Sequence, residues 1–263
     1  MPAVLVNWSL LQFQSLILIL MRVAPILFMM PILSSGSLPT LLKVGLSLTF
    51  ALLLLPLIKI DPRLLPREPF QFAALMGAEL MIGFILSLSI KIIFAAIQTG
   101  GELIAFQMGF SMASVVDPQS DISTPVISQF IYFMGILIFL SIDGHHWFFR
   151  AVHQSFLLLA PGEIHLQAGL YSHLVNLMGN LFVIAVKLAA PVLAVLTFTQ
   201  IALGILAKAV PQVNILLASF SLTIGIGLLF LGFSMELLLP YFGNLFQAAG
   251  KGLVSTLLPL MQR

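Results

Sequence analysis

Two apolar stretches, residues 174–206 and 215–239, dominate what this chain can fold into. Each exceeds the roughly 20 residues an α-helix needs to cross the hydrocarbon layer of a bilayer. Lys187 is the one charge inside the first and Glu236 the one charge inside the second. The eight residues between them, 207–214, are polar enough only to turn the chain, so the pair reads as a helical hairpin. Composition extends this to the whole molecule: 60% of the 263 residues are hydrophobic and 8% are charged. Eleven cations and nine anions cannot coat a water-facing sphere of this size. The chain must therefore face lipid or other apolar protein over most of its surface. Disorder is excluded by the same arithmetic, and cystine frameworks and thiolate metal sites are excluded because the chain has no cysteine. A net charge of +2 offers no patch to neutralise a run of phosphates, which excludes nucleic acid as a partner.

The rest of the chain is a series of shorter apolar stretches, and the predicted fold class is all-α, with polytopic membrane-type hairpins and several short or broken helices. Residues 10–33 contain Pro25 and Pro31, and residues 34–39 read as loop. Residues 44–58 lead into the most polar segment, which carries Lys59, Asp61, Arg63, Arg67 and Glu68 and is the best cytoplasmic candidate. Residues 70–97 can span with tilt, and Gly100-Gly101 is expected to weaken the helix that follows. Residues 102–116 and 147–160 are apolar but too short to span. Such segments suit burial in protein or re-entrant loops, because broken backbone is tolerated at membrane depth only where protein or a wet cavity satisfies it. The tail, 240–263, is amphipathic at best. Residues 1–10 hold no Lys or Arg, so they lack the basic start of a cleaved signal peptide, and the N-terminus is expected to be retained.

Arg22, Glu79, Lys91, Lys187 and Glu236 lie inside apolar stretches and would each be costly against lipid. Interhelical struts and a proton or ion path remain equally open, and the sequence does not pair them. A metal site is not expected: His145 and His146 are adjacent, neighbours on a helix point about 100° apart, and no His-x-x-x-His or Glu-x-x-His pair occurs. Asp143-Gly144 reads instead as a turn or helix cap beside the interfacial aromatics Trp147, Phe148 and Phe149. Gly109-Phe110-Ser111-Met112-Ala113 lacks the second glycine of a nucleophile elbow, and no histidine follows His173, so no catalytic residue and no cofactor is assigned. Residues 106–116 interleave small residues with Met and Phe, a composition that can bend and seal as a pore-facing loop or pack as an ordinary helix.

Three blocks then combine: residues 101–113 (Gly-Glu-Leu-Ile-Ala-Phe-Gln-Met-Gly-Phe-Ser-Met-Ala), Asp117-Pro118-Gln119-Ser120, and Asp143-Gly144-His145-His146. With Arg22-Val23-Ala24-Pro25 and residues 203–214 (Leu-Gly-Ile-Leu-Ala-Lys-Ala-Val-Pro-Gln-Val-Asn), they make essentially the whole chain resemble the FliR/SctT family of export-gate subunits. The flagellar rather than the virulence branch rests mainly on the central block. The resemblance implies a non-enzymatic, pore-forming structural subunit of a type III secretion apparatus, in the bacterial inner membrane at the flagellar basal body. Its implied partners are FliP and FliQ, FlhB, FlhA, basal-body ring and rod proteins, unfolded flagellar export substrates, and membrane lipid. It also implies a FliP-like portion over 1–173 with a pore loop at 106–120, a FliQ-like hairpin over 174–239, and the tail beyond. The family's pore plug maps onto Gly109, Phe110, Ser111, Met112, Ala113, Ser114, Val115 and Val116. Arg22, Glu79, Glu102, Lys187, Lys208, Pro211, Gln212, Asn214 and Glu236 are the candidates for buried charge or subunit contact. The chain departs from the family at Ser219-Phe220-Ser221-Leu222-Thr223, where Gly-Phe-Pro-Leu-Lys is common, so a salt bridge from that lysine has no counterpart here. A secondary transporter is the competing reading from broken helices and intramembrane charge, but no second copy of the central block provides its usual internal repeat.

Overall fold

The structure is a computed structural model that describes residues 10–33, 38–66, 68–110, 125–165, 167–209 and 215–262, with the side chains of 215–218 excluded. It is all-α, and strands are absent among the described residues. In chain order the helices are α1 (Leu10–Met29), α2 (Thr40–Leu54), α3 (Pro69–Met108), α4 (Val126–Ser141), α5 (Gly144–Leu158), α6 (Ala168–Ala209), α7 (Ile215–Gly252) and the short α8 (Leu258–Met261). α1, α3, α6 and the helical run Ser219–Met261 are long and apolar enough to cross a membrane, and α4 and α5 pass the same test only when taken together as one broken span. This is a membrane protein by its helices.

The chain divides into two compact units, each assembled from separated segments. The first contains residues 1–91, 143–175 and 247–263. In α1 the residues Leu18, Ile19, Arg22, Val23, Ile26 and Leu27 are buried, the i, i+1, i+4, i+5 stripe of one helix face. Pro25 lies inside α1 without ending it. Its ring is accommodated because α3 presents Gly83 there: a Cβ on Gly83 would collide with the Arg22 carbonyl and sit 3.2 Å from Pro25 Cγ. α2 buries Lys43, Ser47 and Ala51, a narrow i, i+4, i+8 line, and Phe50 stacks on Phe149 of α5 at 4.5 Å. Between α2 and α3, Asp61 caps a 3₁₀ turn at Pro62–Leu64 by accepting the Arg63 N–H at 2.9 Å.

The second unit contains residues 92–142 and 176–246. Its centre is a knot of buried rings. Phe94 meets Phe139 edge-on at 5.5 Å and Phe246 at 5.0 Å, and Phe139 meets Phe246 edge-on at 5.2 Å, the separations aromatic quadrupoles favour. Here the expectation at Gly100-Gly101 is corrected: α3 runs unbroken through both to Met108. Two glycines in a helix cost about 1 kcal/mol each. Contact offsets that cost, because a Cβ on Gly100 would lie 3.0 Å from the Ala185 carbonyl oxygen, and one on Gly101 would lie 2.8 Å from Ser128 Cα. The glycines let α6 and α4 approach the α3 backbone, the small-residue packing of membrane helices, and Ser128 Oγ completes the contact by donating to the Gln98 carbonyl at 3.0 Å.

Candidate functional site

The two halves of the expected machinery fall in different units. In the first unit, Arg22 and Glu79 are both fully buried and meet as a two-pronged ion pair, Nε to Oε2 at 2.5 Å and Nη2 to Oε1 at 2.9 Å. α5 supplies what remains. Arg22 Nη1 donates to Ser155 Oγ at 3.1 Å, and the Ser155 hydroxyl is free to accept because its own proton goes to the Val152 carbonyl at 2.7 Å. Nη2 also reaches the Leu159 carbonyl at 3.4 Å, and the guanidinium carbon sits 3.8 Å above the Phe156 ring centroid. Glu79 Oε1 accepts a further bond from the Gly162 N–H at 3.1 Å, where the turn after α5 takes a φ of +84°. Every prong of the pair is satisfied, as a buried charge pair requires, and it ties α1, α3 and α5 together. Of the two readings the sequence leaves open for these residues, this geometry is that of a strut.

In the second unit, α3 ends at the first residues of the expected plug. The Gly109 N–H donates to the Phe106 carbonyl and the Phe110 N–H to the Ala105 carbonyl, both at 3.0 Å, with Gly109 at a φ of +94°. That is a Schellman stop, and it needs glycine for its left-handed backbone. Gly109 is doubly constrained, since a Cβ would also lie 3.2 Å from the Phe220 ring. α7 grips this end. The Thr223 hydroxyl, 2.9 Å from the Ser219 carbonyl of its own helix, also comes within 3.2 Å of the Met108 carbonyl and shares its one proton between them, and the Met108 side chain fills the space over Gly227. From α6, Gln200 accepts the Gln107 amide at 3.1 Å and donates back to the Gln107 carbonyl at 3.4 Å. A cavity of about 390 Å³ opens beside this end, lined by Phe106, Gly109, Gln200, Gly204, Phe220 and Thr223 among others. Ser111, Met112, Ala113, Ser114, Val115 and Val116 lie outside the described residues, as do Pro211, Gln212 and Asn214.

The remaining charges go elsewhere. Glu102 is half-buried and accepts from Gln98 on its own helix at 3.1 Å. Lys91, Lys187, Lys208 and Glu236 are exposed on their helices, and none forms an ion pair among the described residues. Burial within the chain is thus not their environment: an apolar sequence context reports that a helix avoids water, not which of its faces its own chain covers. Sequence reasoning missed Ser155, Phe156, Thr223 and the Gln107–Gln200 pair, all ordinary residues in composition. It also passed over Lys43, which is buried at 8% exposure.

Side chains at the Asp143 turn and the start of α5 come closer together than helical spacing alone suggests. Asp143 takes a φ of +57°, one of the few non-glycine types that tolerate it, and its side chain makes no cap bond. The rings of His145 and His146 lie 4.1 Å apart between centroids rather than pointing away, and ligand atoms of Asp143, His145 and His146 fall within 4.8 Å of one another. Asp143 and His146 are largely exposed, at 72% and 56%, and the carboxylate stands 3.7 Å from the His146 Nδ1.

Comparison with known proteins decides the family. The model of the bacterial export proteins, family 1, matches residues 13–249. The chain belongs to this family. Within it, the chain is similar to the flagellar biosynthetic protein FliR of Bacillus subtilis, 30% identical over 237 residues that cover 89% of this chain and 91% of the relative. FliR of Escherichia coli is 31% identical over 229 residues, 86% of each chain. FliR of Aquifex aeolicus is 26% identical over 233 residues, 89% of this chain and 90% of the relative. The family match spans the Arg22–Glu79 strut, the glycine stop at Gly109 and both long helices of the hairpin.

Proposed function

We propose that this family member is a pore-forming structural subunit of the flagellar type III export gate, which helps unfolded flagellar substrates cross the bacterial inner membrane. It acts in complex with FliP, FliQ and FlhB and is not an enzyme. The full-length similarity to FliR proteins supports the flagellar assignment.

One structural observation carries the need for partners. α6 exposes large apolar side chains from Tyr171 through Val175, Phe182, Val186, Phe198 and Ile201 to Leu206. At 1.5 Å per residue those side chains are spread along about 50 Å of helix. A hydrocarbon layer of roughly 30 Å, met at a tilt of about 40°, covers only about 39 Å of helix. Lipid alone leaves apolar surface in water, and other apolar subunits resolve the mismatch. In this reading the 109–116 segment, held at its base by Thr223 and Gln200, closes the pore, and Lys187, Lys208 and Glu236 contact neighbouring subunits.

The test is deletion of the gene in its own organism. Loss of flagellar filaments, with filament protein retained inside the cell and flagellation restored by the plasmid-borne gene, is the expected result. Normally flagellated, motile deletion cells refute the reading. Purification in mild detergent separates it from a transporter: a gate subunit comes with two other small membrane proteins, whereas a transporter comes alone and binds a small solute.

A further inference from the structure

The first unit contains a second cavity that neither the strut nor the gate segment uses. It has a volume of about 670 Å³ and lies between α5 and the end of α7 with the π-helical turn Leu253–Leu257 that follows. Arg150 of α5 and Lys251 of α7 line it, and neither forms an ion pair among the described residues. Around them are Gln154, Gln247 and Ser255, with Trp147 and Val254 as apolar wall. Gln154 brings a polar atom that lacks a partner: its side-chain oxygen is buried and accepts no hydrogen bond.

Gly250 makes the cavity possible. A Cβ there would run into the Trp147 indole, so only glycine lets that ring lie against α7 and form a wall. α5 is also the least apolar of the long and medium helices, carrying His145, His146, Arg150, His153 and Gln154 on 15 residues. A basic and aromatic band of that kind marks the level where hydrocarbon gives way to headgroups.

We propose that this cavity binds the headgroup of an anionic phospholipid. The phosphodiester is held by Arg150 and Lys251, a headgroup hydroxyl donates to Gln154, and the glycerol backbone lies against Trp147 and Val254. Charge selects the class: two cations with no carboxylate partner among the described residues call for an anion. The unpartnered acceptor calls for a donor on the same ligand, which phosphatidylglycerol has and phosphatidylcholine lacks. Apolar walls in a membrane protein favour a lipid over free phosphate.

The experiment uses the full chain, purified in mild detergent with its co-expressed partners. Trp8→Phe and any partner-tryptophan changes leave Trp147 as the sole fluorophore. Phosphatidylglycerol with brominated acyl chains should quench Trp147 saturably, and at concentrations at least tenfold lower than brominated phosphatidylcholine. Each basic side chain near an anionic surface contributes roughly a fivefold preference, so Arg150→Gln with Lys251→Gln should remove most of the difference. Gln154→Leu should weaken phosphatidylglycerol but not phosphatidic acid, which lacks the headgroup hydroxyls. Equal quenching by both brominated lipids overturns the proposal. So does displacement by millimolar inorganic phosphate as effective as that by phosphatidylglycerol, which would make this a free-anion site. Selective quenching of the chain alone that disappears in the assembled complex would mean that a partner's carboxylate fills the cavity, and it also overturns the proposal.

Discussion

Arg22→Met tests the strut most directly. The substitution keeps the unbranched stem and removes the guanidinium, leaving Glu79 fully buried with the Gly162 N–H as its remaining donor. Breaking a buried pair from one side costs about 3–5 kcal/mol, because the surviving charge has lost its counter-charge but not its burial. Glu79→Gln should cost a similar amount by stranding Arg22. The variant carrying both changes is the informative one. Its Glu79→Gln side chain still offers an amide oxygen to the Gly162 N–H, and its Arg22→Met thioether fills the guanidinium's path between Phe156 and Ser155, so no charge remains to be stranded. We expect it to be less destabilised than the sum of the singles by about 2 kcal/mol or more, the coupling a contacting charged pair shows. Thermal melting of the purified complex in detergent reads this: each single variant should fall on the order of 10 °C, at roughly 2–4 °C per kcal/mol for a chain of this size. A melting point for Arg22→Met within about 2 °C of the parent, or a double variant equal to the sum, would refute the strut.

Gly109→Ala should cost about 1–2 kcal/mol through its left-handed backbone, and should raise hydrogen exchange at the Gly109 and Phe110 amides that close α3. Lys187→Met should leave the chain's own helix content unchanged, since Lys187 is exposed, while reducing co-purification of partner subunits; unchanged assembly counts against a subunit contact there. Deleting residues 111–116, or making Met112→Asp, should let small ions leak through cells expressing the assembled complex, because an apolar constriction excludes ions by dewetting. A charge placed in the Pro62–Leu64 turn is the control and should stay tight, and equal permeability of deleted and intact complexes would dismiss the plug.

The helices are legible in the sequence because hydropathy over twenty residues is a sum, and a sum survives local exceptions. Pro25, Pro191 and Pro240 all lie inside helices that continue through them. Local breakers are the poorer guide. Gly100-Gly101 reads as a weak point in isolation, yet it is the surface on which α4 and α6 close, a property of three-dimensional neighbours that no one-dimensional window contains. The Gly109 stop is readable as a flexible point, but that it faces Phe220 and that Thr223 grips the adjacent carbonyl depend on how α7 returns past α3. The same holds at His145 and His146, which keep the helical spacing of α5 yet bring their ring centroids within 4.1 Å, a matter of side-chain rotamers that backbone spacing does not fix.

The charges inside apolar stretches sort by burial into two kinds of task. Arg22 and Glu79, 57 positions apart in sequence, satisfy each other inside the chain and leave nothing to offer a neighbour. Lys187 and Glu236 stand on helices whose apolar windows are only 28% buried, against 67% for the window of α3. A helix that its own chain leaves so open is stable at membrane depth only when something else covers it, and a lone cation or carboxylate on that surface is costly against lipid. The cost reverses if a neighbouring subunit brings the opposite charge or a row of carbonyls to the same height. Then the residues that make the isolated chain expensive become the ones that fix the register of its neighbours. Replacing Lys187 and Glu236 by apolar residues should therefore raise the solubility of the lone chain in detergent while lowering the yield of correctly assembled complex, opposite effects that a purely lipid-facing pair would not produce.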